Sequence, residues 1–151
     1  MREIKPPSIL REDDDLIVFL AGSIEQGKPM DWQQKIVDEF RDDDVTFFNP
    51  RRDDWDSSWE QVMGPNEFTK QVGWELNGLE RADLIVMFLD GNTQSCISLF
   101  ELGLYVKSGK LVVCCEDGFW RKGNVDIVCT KYGVEQMDSL YGLIDTIREK
   151  L

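Results

Sequence analysis

Four short, almost solidly apolar runs alternate with helical patterns along this chain, and this alternation strongly constrains its fold. The runs are LIVFLA, VTFF, LIVMFL and LVVCC, which start at Leu16, Val45, Leu84 and Leu111. Because each run is apolar on both faces, it is typical of a parallel strand covered by helices on two sides. The sequence therefore predicts an α/β fold: a flavodoxin-like, doubly wound, parallel five-stranded sheet with helices on both faces.

The remaining segments supply the helices and the fifth strand. Residues 30–44 predict an amphipathic helix with Asp31 as its N-cap, and residues 137–151 predict a closing helix. Residues 123–133 predict either a short helix or the fifth strand. A further helix over residues 66–83 is expected to bury one apolar stripe, formed by Phe68, Val72, Leu76 and Leu79. The 151 residues are predicted to form a single domain, residues 1–151.

Charge and residue usage exclude several classes of function. The chain has 29 acidic residues against 17 Lys and Arg, a formal net charge of −12, so it repels polyanions and is not expected to bind nucleic acid. It has no histidine, which removes Ser–His and Cys–His nucleophile pairs and imidazole general bases. Acid–base chemistry is left to carboxylates, Tyr, Lys, Cys or water. We expect neither a metal nor a cofactor.

The cysteines and the lack of a long apolar run indicate the cellular compartment. The four cysteines form no CxxC pair and are predicted to be buried thiols in a reducing compartment. No apolar run approaches the ~20 residues that a membrane span needs, and the N-terminus has no signal-peptide core. A cytoplasmic protein without membrane partners is the expectation.

In a doubly wound sheet, ligands bind beyond the carboxyl ends of the strands, where the strand order reverses. Four loops fall at those ends: Gly22-Ser23, residues 51–59, residues 90–98 and the segment after Cys115. The acidic run from Asp13 to Asp15 precedes the first strand, so it is predicted to lie at the end of the sheet opposite the pocket. It would be a solvated entry, that is, a solvent-exposed segment that leads into the strand. The four loops are expected to build the pocket.

Glu101 is an acid at the predicted start of an otherwise apolar helix, and two explanations are open for it. Ser98 to Glu101 fits the S/T-x-x-E capping box, in which Glu101 would bond the Ser98 amide. Alternatively, Glu101 is a nucleophile. The helix N-terminus would keep it anionic at neutral pH, and a carboxylate can attack a sugar carbon to give a covalent glycosyl intermediate.

Several stretches of the chain resemble the nucleoside 2-deoxyribosyltransferase family, in its short bacterial and fungal-type branch. They are FLAGSIEQG, FFNPRRDDWDSSWEQ, QVGWELNGLERADLIVMFLD, SCISLFELGLY and EDGFWRKGNVDIVC, between Val18 and Cys129. The resemblance implies that Glu101 is the nucleophile and that 2-deoxyribose is transferred between purine and pyrimidine bases, with side hydrolysis. It implies deoxyribonucleosides and free nucleobases as small-molecule partners.

Two further acids are candidate catalytic residues. Glu75 matches an acidic active-site position of the family, often Asp, near the base; the alternative is an exposed helix acid. Asp90 ends a predicted strand, where it would hold a sugar hydroxyl or help protonate the departing base. The alternative for Asp90 is an Asx-turn in the sequence LDGN.

Candidate binding residues lie in three other places. The resemblance implies that Gly22 and Ser23 contact the sugar; the alternative is an ordinary strand-to-loop turn. Residues 51–65, which we call the tryptophan loop, combine aromatic and hydrogen-bonding side chains suited to a nucleobase, and Asp54 and Trp55 are the predicted contacts. The competing interpretation is a surface loop whose Trp residues pack on the core. The resemblance implies that Asn124 enters the site of a neighbouring subunit, so a homo-oligomer, a dimer or larger, is expected.

Two other functions remain open. A 2′-deoxynucleoside 5′-monophosphate N-glycosidase would need a phosphate cradle, to which Ser23 and Ser95 are candidate contributors. A non-catalytic nucleotide-binding module would keep the fold without turnover. Ser98 is a predicted substrate contact under the enzyme interpretations.

Overall fold

A computed structural model describes residues 1–11, 15–24 and 30–151. The described residues form six strands: β1 Arg2–Ile4, β2 Leu16–Gly22, β3 Val45–Phe48, β4 Leu84–Leu89, β5 Leu111–Cys115 and β6 Glu135–Met137. They also form five helices: α1 Trp32–Glu39, α2 Glu67–Arg81, α3 Cys96–Tyr105, α4 Lys122–Tyr132 and α5 Leu140–Arg148. Asp13 and Asp14 of the predicted solvated entry, and Glu25 to Gly27 of the FLAGSIEQG stretch, lie outside the described residues.

All strand pairs in the described sheet are parallel, and the strand order is β1-β3-β2-β4-β5-β6. The order from β3 to β6 is the flavodoxin-like one, so the predicted doubly wound fold is confirmed. The described sheet has six strands where five were predicted: the four apolar runs and one three-residue strand at each edge. Residues 123–133 are mainly helix α4 instead of a strand. The edge strands read REI and EQM, which carry no apolar run to reveal them.

The alternation of side chains along each strand divides the core into two layers. On β2, Val18 and Leu20 face one layer, which they share with α1 and α5, whereas Phe19 and Ala21 face the layer that contains α2, α3 and α4. Helices therefore cover both faces, which explains why the four predicted strand runs are apolar throughout. Asp31 caps α1 as predicted, and its carboxylate accepts a hydrogen bond from the Gln34 amide at 3.0 Å.

Helix α2 is rotated relative to the predicted apolar stripe. Leu76 of that stripe is exposed, and the buried residues of the helix are Gln71, Trp74, Gly78 and Leu79. Gly78 permits this rotation, because a Cβ there would lie 2.7 Å from the Phe19 ring. The indole of Trp74 packs 6.3 Å from that ring, between centroids. Contact with β2, rather than the local apolar pattern, sets which face of α2 points inward.

The cysteines only partly follow the prediction. All four are free; Cys114, Cys115 and Cys129 are buried, but Cys96 is exposed at the first position of α3. None of the described helices is long and apolar enough to cross a membrane.

The switch in strand order lies between β2 and β4, which are neighbours in the sheet. From β2 the chain turns to β3 on one side, and from β4 it turns to β5 on the other. In doubly wound sheets, ligands bind beyond the carboxyl ends of the strands at such a switch point. This edge carries Ser23, Asp90 and the start of α3.

Candidate active site

Helix α3 starts three residues earlier than the predicted capping box requires. Its N-cap is Ser95, whose side chain makes no capping hydrogen bond, and Ser98 already lies inside the helix. Glu101 therefore lies in the second turn and not at the cap, so the capping-box interpretation is wrong. The backbone of Ser95 is in the left-handed region, with φ 43° and ψ 47°, which is unusual for a residue other than glycine.

The inward face of α3 is unusually polar. Its buried residues are Ser98, Glu101 and Leu102, and Glu101 is only 8% exposed. Ser98 and Glu101 are three residues apart and therefore share a helix face. Leu102 belongs to the apolar core, while the two polar side chains are turned toward the protein interior. A helix that buries a serine and a glutamate departs from the usual apolar pattern, and such departures concentrate at functional sites.

Glu101 is coupled to a second acid, Glu75 on α2, and we call the two the carboxyl pair. Burial and the neighbouring charge of Glu75 raise the pKa of Glu101 to about 8. Burial also raises the pKa of Glu75, and a hydrogen bond from Gln71 partly opposes that rise. The prediction that Glu101 is anionic at neutral pH is wrong for the free protein. Desolvation outweighs the helix dipole because Glu101 lies beyond the first turn.

Three hydroxyl groups meet at the carboxyl ends of β2 and β4, and we call them the hydroxyl cluster: Ser23, Thr93 and Ser95. Ser23 Oγ lies 2.9 Å from Thr93 Oγ1 and 2.7 Å from Ser95 Oγ, and the Thr93 and Ser95 oxygens are 2.7 Å apart. All three residues are buried. The Asp90 amide donates to Ser23 Oγ at 2.9 Å, which joins the loops after β2 and β4. The cluster thus fixes the start of α3 against β2.

The Asp90 side chain adopts the Asx-turn that was its alternative interpretation. Its Oδ1 accepts hydrogen bonds from the Asn92 amide at 2.7 Å and the Asn92 side chain at 3.2 Å. Asp90 is buried beside the hydroxyl cluster, because its backbone carbonyl also accepts from Thr93 Oγ1 at 3.0 Å. Asp90 therefore shapes the loop and also lies at the carboxyl edge of the sheet.

Gly22 is the residue that brings the end of β2 against β4. Its φ is 131°, and a Cβ there would lie 2.1 Å from the Phe88 carbonyl oxygen. The next amide, that of Ser23, donates to this same oxygen at 2.9 Å. Only glycine fits this position, so the placement of Ser23 depends on it.

Replacing Gly22 by Ala is expected to lower the free energy of unfolding by about 3 kcal/mol or more, because the added methyl group overlaps the Phe88 carbonyl. The measurement is urea denaturation followed by far-UV circular dichroism. The matched control is Gly73→Ala on α2, where a Cβ meets nothing within 4 Å. That change should stabilise the helix by up to about 1 kcal/mol. A Gly22→Ala protein as stable as the wild type would contradict this account of the β2 end.

The tryptophan loop is organised around Arg52, whose side chain is 6% exposed. Its guanidinium bonds Asp54 at 2.6 Å and Glu67 at 3.1 Å, and lies 4.8 Å from the centre of the Trp59 ring. Trp55 packs edge-on against Trp59 with centroids 5.1 Å apart. Of the two predicted base contacts, Trp55 is partly buried, while the exposed Asp54 is held in an ion pair with Arg52.

The structure brings some predicted site residues together and leaves others apart. Ser23 and Asp90 are joined by a hydrogen bond, and Glu75 and Glu101 interact electrostatically. Asn124 lies exposed on α4. Thr93 was not among the predicted site residues; the sequence signal for it is its place in the loop that leaves β4, at the carboxyl edge of the sheet.

Comparison with known proteins agrees with this architecture. A family model described as nucleoside 2-deoxyribosyltransferase like matches residues 15–119. No curated protein matches the sequence significantly. Among solved structures, a conserved protein from Enterococcus faecalis is similar, with a TM-score of 0.66 and 14% sequence identity over 91% of this chain and 99% of that chain. At that identity the likeness concerns the fold alone. Because the family match spans more than half of the 151 residues, this chain belongs to the nucleoside 2-deoxyribosyltransferase-like family.

Proposed function

We propose that this protein is a nucleoside 2-deoxyribosyltransferase that moves 2-deoxyribose between nucleobases through a covalent intermediate on Glu101. The observation that carries the proposal is the carboxyl pair, in which the buried Glu101 of α3 interacts electrostatically with the partly buried Glu75 of α2, in a chain of this family. The substrates are deoxyribonucleosides and free bases, with hydrolysis when water intercepts the intermediate. The free thiols suit a reducing cytoplasm as the place of action.

Because the pKa of Glu101 is raised, another group must take its proton before it can act as a nucleophile, and we assign this role to Glu75. With a pKa of about 8, raised by burial and by the neighbouring Glu75, Glu101 is mainly protonated at pH 7 in the free protein. When the nucleoside binds, Glu75 accepts this proton and Glu101 becomes the carboxylate nucleophile. Its oxygen bonds to C1′ as the glycosidic C–N bond breaks. The bonding electrons leave with the base, which takes the proton from Glu75 directly or through Asp90.

The second half of the reaction reverses these steps with a different base. The incoming base attacks C1′ from the vacated side, the C1′–Glu101 ester bond breaks, and the base proton returns to the carboxyl pair. Two inversions restore the β-configuration. Trp55 offers the base an apolar face, Asp54 a polar contact when it leaves Arg52, and Gly22, Ser23 and Ser98 hold the sugar.

A base-exchange assay tests the proposal. The protein is incubated with deoxyinosine and free adenine, and deoxyadenosine is sought by chromatography. Rapid quenching followed by intact mass and peptide mapping seeks a deoxyribosyl ester on Glu101. A protein that binds deoxynucleosides but neither exchanges nor hydrolyses them would be a non-catalytic binding module, and the enzyme proposal would be abandoned.

The hydroxyl cluster favours a second candidate, a 2′-deoxynucleoside 5′-monophosphate N-glycosidase. Its three hydroxyls converge at the N-terminus of α3, where hydroxyl donors, backbone amides and the helix dipole together suit a phosphate group. The carboxyl pair would act as above, with water as the acceptor. Hydrolysis rates of deoxyinosine and its 5′-monophosphate separate the two candidates. Under the second, Ser23→Ala should reduce kcat/KM for the monophosphate by about tenfold or more, and by a larger factor than for the nucleoside.

The outer surface of α3 and α4 supports the proposed homo-oligomer. Ile97, Phe100 and Leu104 form an exposed stripe on α3, with Phe100 71% exposed. Trp120 is exposed beside the start of α3, because its indole donates to the Gln94 carbonyl at 2.8 Å, and Ile127 is exposed on α4. We call these five residues the α3–α4 patch. Contiguous apolar patches commonly mark protein interfaces.

A second copy of the chain on this patch accounts for the exposed position of Asn124. Asn124 and Ile127 are three residues apart on α4 and share a face of that helix. In a two-fold symmetric pair, each Asn124 reaches the other subunit from the same surface that carries the patch. Each site would then be completed by its neighbour.

Replacing Phe100 by Glu is expected to convert the oligomer into monomers and to reduce transfer by at least about tenfold, because the interface loses its apolar centre and gains a charge. Light scattering after size-exclusion chromatography measures the mass, and the base-exchange assay measures activity. Tyr141→Glu, at a 72% exposed residue of α5 on the opposite layer, is the control and should change neither. A wild-type protein that is already monomeric and fully active would refute the shared site.

A further inference from the structure

Gln71 connects the tryptophan loop to the carboxyl pair. Its side-chain Nε2 donates to the Pro50 carbonyl oxygen at 3.0 Å and to Glu75 Oε1 at 2.8 Å. Pro50 immediately precedes the tryptophan loop, and Gln71 is only 4% exposed. One buried amide nitrogen therefore bridges the start of the loop and the acid that faces Glu101.

The orientation of this amide does not depend on whether Glu75 carries a proton. A backbone carbonyl can only accept a hydrogen bond, so Pro50 requires the nitrogen of Gln71 and not its oxygen. The Gln71 Oε1 atom is buried and finds no hydrogen-bond partner within the described residues. A buried acceptor without a partner lowers stability, so Oε1 of Gln71 is a cost to the fold. The two hydrogen bonds donated by Nε2 are what this side chain contributes.

We propose that Gln71 is a positioning residue of the site, which anchors the Glu75 carboxylate to the chain at Pro50 and so couples the tryptophan loop to the carboxyl pair. This inference rests on the proposed function. Gln71 Nε2 donates to both the Pro50 carbonyl and Glu75 Oε1. A shift of the tryptophan loop on base binding therefore moves this nitrogen relative to the Glu75 carboxylate. Binding at the loop thereby changes which member of the pair holds the proton.

The groups that act on the pair come from two helices. Gln71 and Glu75 lie on α2, and Glu101 and Tyr105 lie on α3. Burial, Glu80 and Glu101 raise the pKa of Tyr105, so its phenol stays neutral as the pair titrates. The Gln71 hydrogen bond lowers the pKa of Glu75, against the effect of burial. Removing that donor is therefore expected to shift the shared proton from Glu101 toward Glu75.

The test is Gln71→Leu, which keeps the bulk and removes the donor. We expect kcat to fall by about 10- to 100-fold while KM changes less than about threefold, because Glu75 is misplaced only for the proton transfer. The acid limb of the rate profile should move to higher pH, since Glu75 must be ionised to accept the proton. Glutamate ¹³C NMR, with resonances assigned by Glu75→Gln and Glu101→Gln, should show a higher pKa for Glu75.

Gln33→Leu is the matched control, because Gln33 is also a fully buried glutamine and its amide atoms find no partner within the described residues. It should leave the rate profile unmoved. If Gln71→Leu does not fold, Gln71→Glu keeps the shape and should move the profile in the same direction. Equal effects of the Gln71 and Gln33 changes, with an unmoved pH profile, would overturn the positioning role.

The NMR titration separates the two proposals. A wild-type protein without exchange or hydrolysis, but with a Glu75 titration that depends on Gln71, would defeat the proposed function and leave the coupling in place. If the wild type is active but the pKa of Glu75 is the same in the wild type and in Gln71→Leu, the coupling is refuted and the proposed function stands.

Discussion

Replacing Glu101 by Gln is expected to lower kcat/KM for deoxyribosyl transfer by at least about 10³-fold, because the amide keeps the shape of the side chain but is not a nucleophile. Affinity for the nucleoside should change little, since the residue is buried and the sugar and base contacts remain. Steady-state base exchange measures the first effect, and equilibrium binding of deoxyinosine measures the second. The mass of the quenched protein should show no deoxyribosyl adduct.

A surface glutamate supplies the control for this experiment. Glu149 is exposed at the end of α5, and Glu149→Gln should leave exchange and adduct formation unchanged. Retained exchange in Glu101→Gln would exclude a covalent role for this residue. A loss of exchange together with a loss of binding would point instead to a collapsed site, which near-UV circular dichroism would detect.

Between pH 5 and pH 8 the protein is expected to lose stability as the pH rises. The folded-state pKa of Glu101 is raised from 4.5 to about 8, so over this interval the folded protein holds a proton that the unfolded chain has released. The free energy of unfolding should therefore fall by about 1.4 kcal/mol per pH unit where this group dominates. The stabilising effect is complete below the unfolded pKa and is lost as the pH passes the folded pKa. The whole shift corresponds to roughly 5 kcal/mol at most.

Other carboxyls act in a different pH range. The pKa values of Asp38, Asp54, Asp56 and Glu67 are lowered, each mainly by a side-chain hydrogen bond, so their effects appear only below about pH 4.5. Glu75, whose pKa is raised, adds to the Glu101 trend with the same sign. Urea denaturation at pH 5, 6, 7, 8 and 9 measures the slope.

Glu101→Gln should flatten this slope and make the protein more stable than the wild type above pH 8. The amide removes the buried charge that ionisation would create. A wild-type slope near zero, or one unchanged by the substitution, would show that Glu101 is ionised in the folded protein at neutral pH. The two expected results together describe a residue retained for reactivity at a cost in stability, as is common for active-site groups.

The sequence alone determined the fold class and the edge at which the site lies. The runs at Leu16, Val45, Leu84 and Leu111 are all strands, because an apolar run that fits a strand and ends in turn residues can bury both faces only between two helical layers. Because the strands are parallel, their carboxyl ends all lie at the same edge of the sheet. The family match was likewise carried by local stretches of sequence, which need no tertiary information.

The tertiary structure decided the chemistry of the carboxyl pair. The S-x-x-E pattern at Ser98 predicts a cap, but α3 starts at Cys96, so Glu101 lies a turn deeper and is buried. Likewise, the apolar pattern of α2 points to Leu76, whereas packing of Gly78 on Phe19 turns Gln71 inward and leaves Leu76 exposed. Helix period and capping signals are local properties of the chain. The burial and neighbouring charge that set the protonation of Glu101 come from segments distant in sequence, which meet only when the sheet and its two helical layers have assembled.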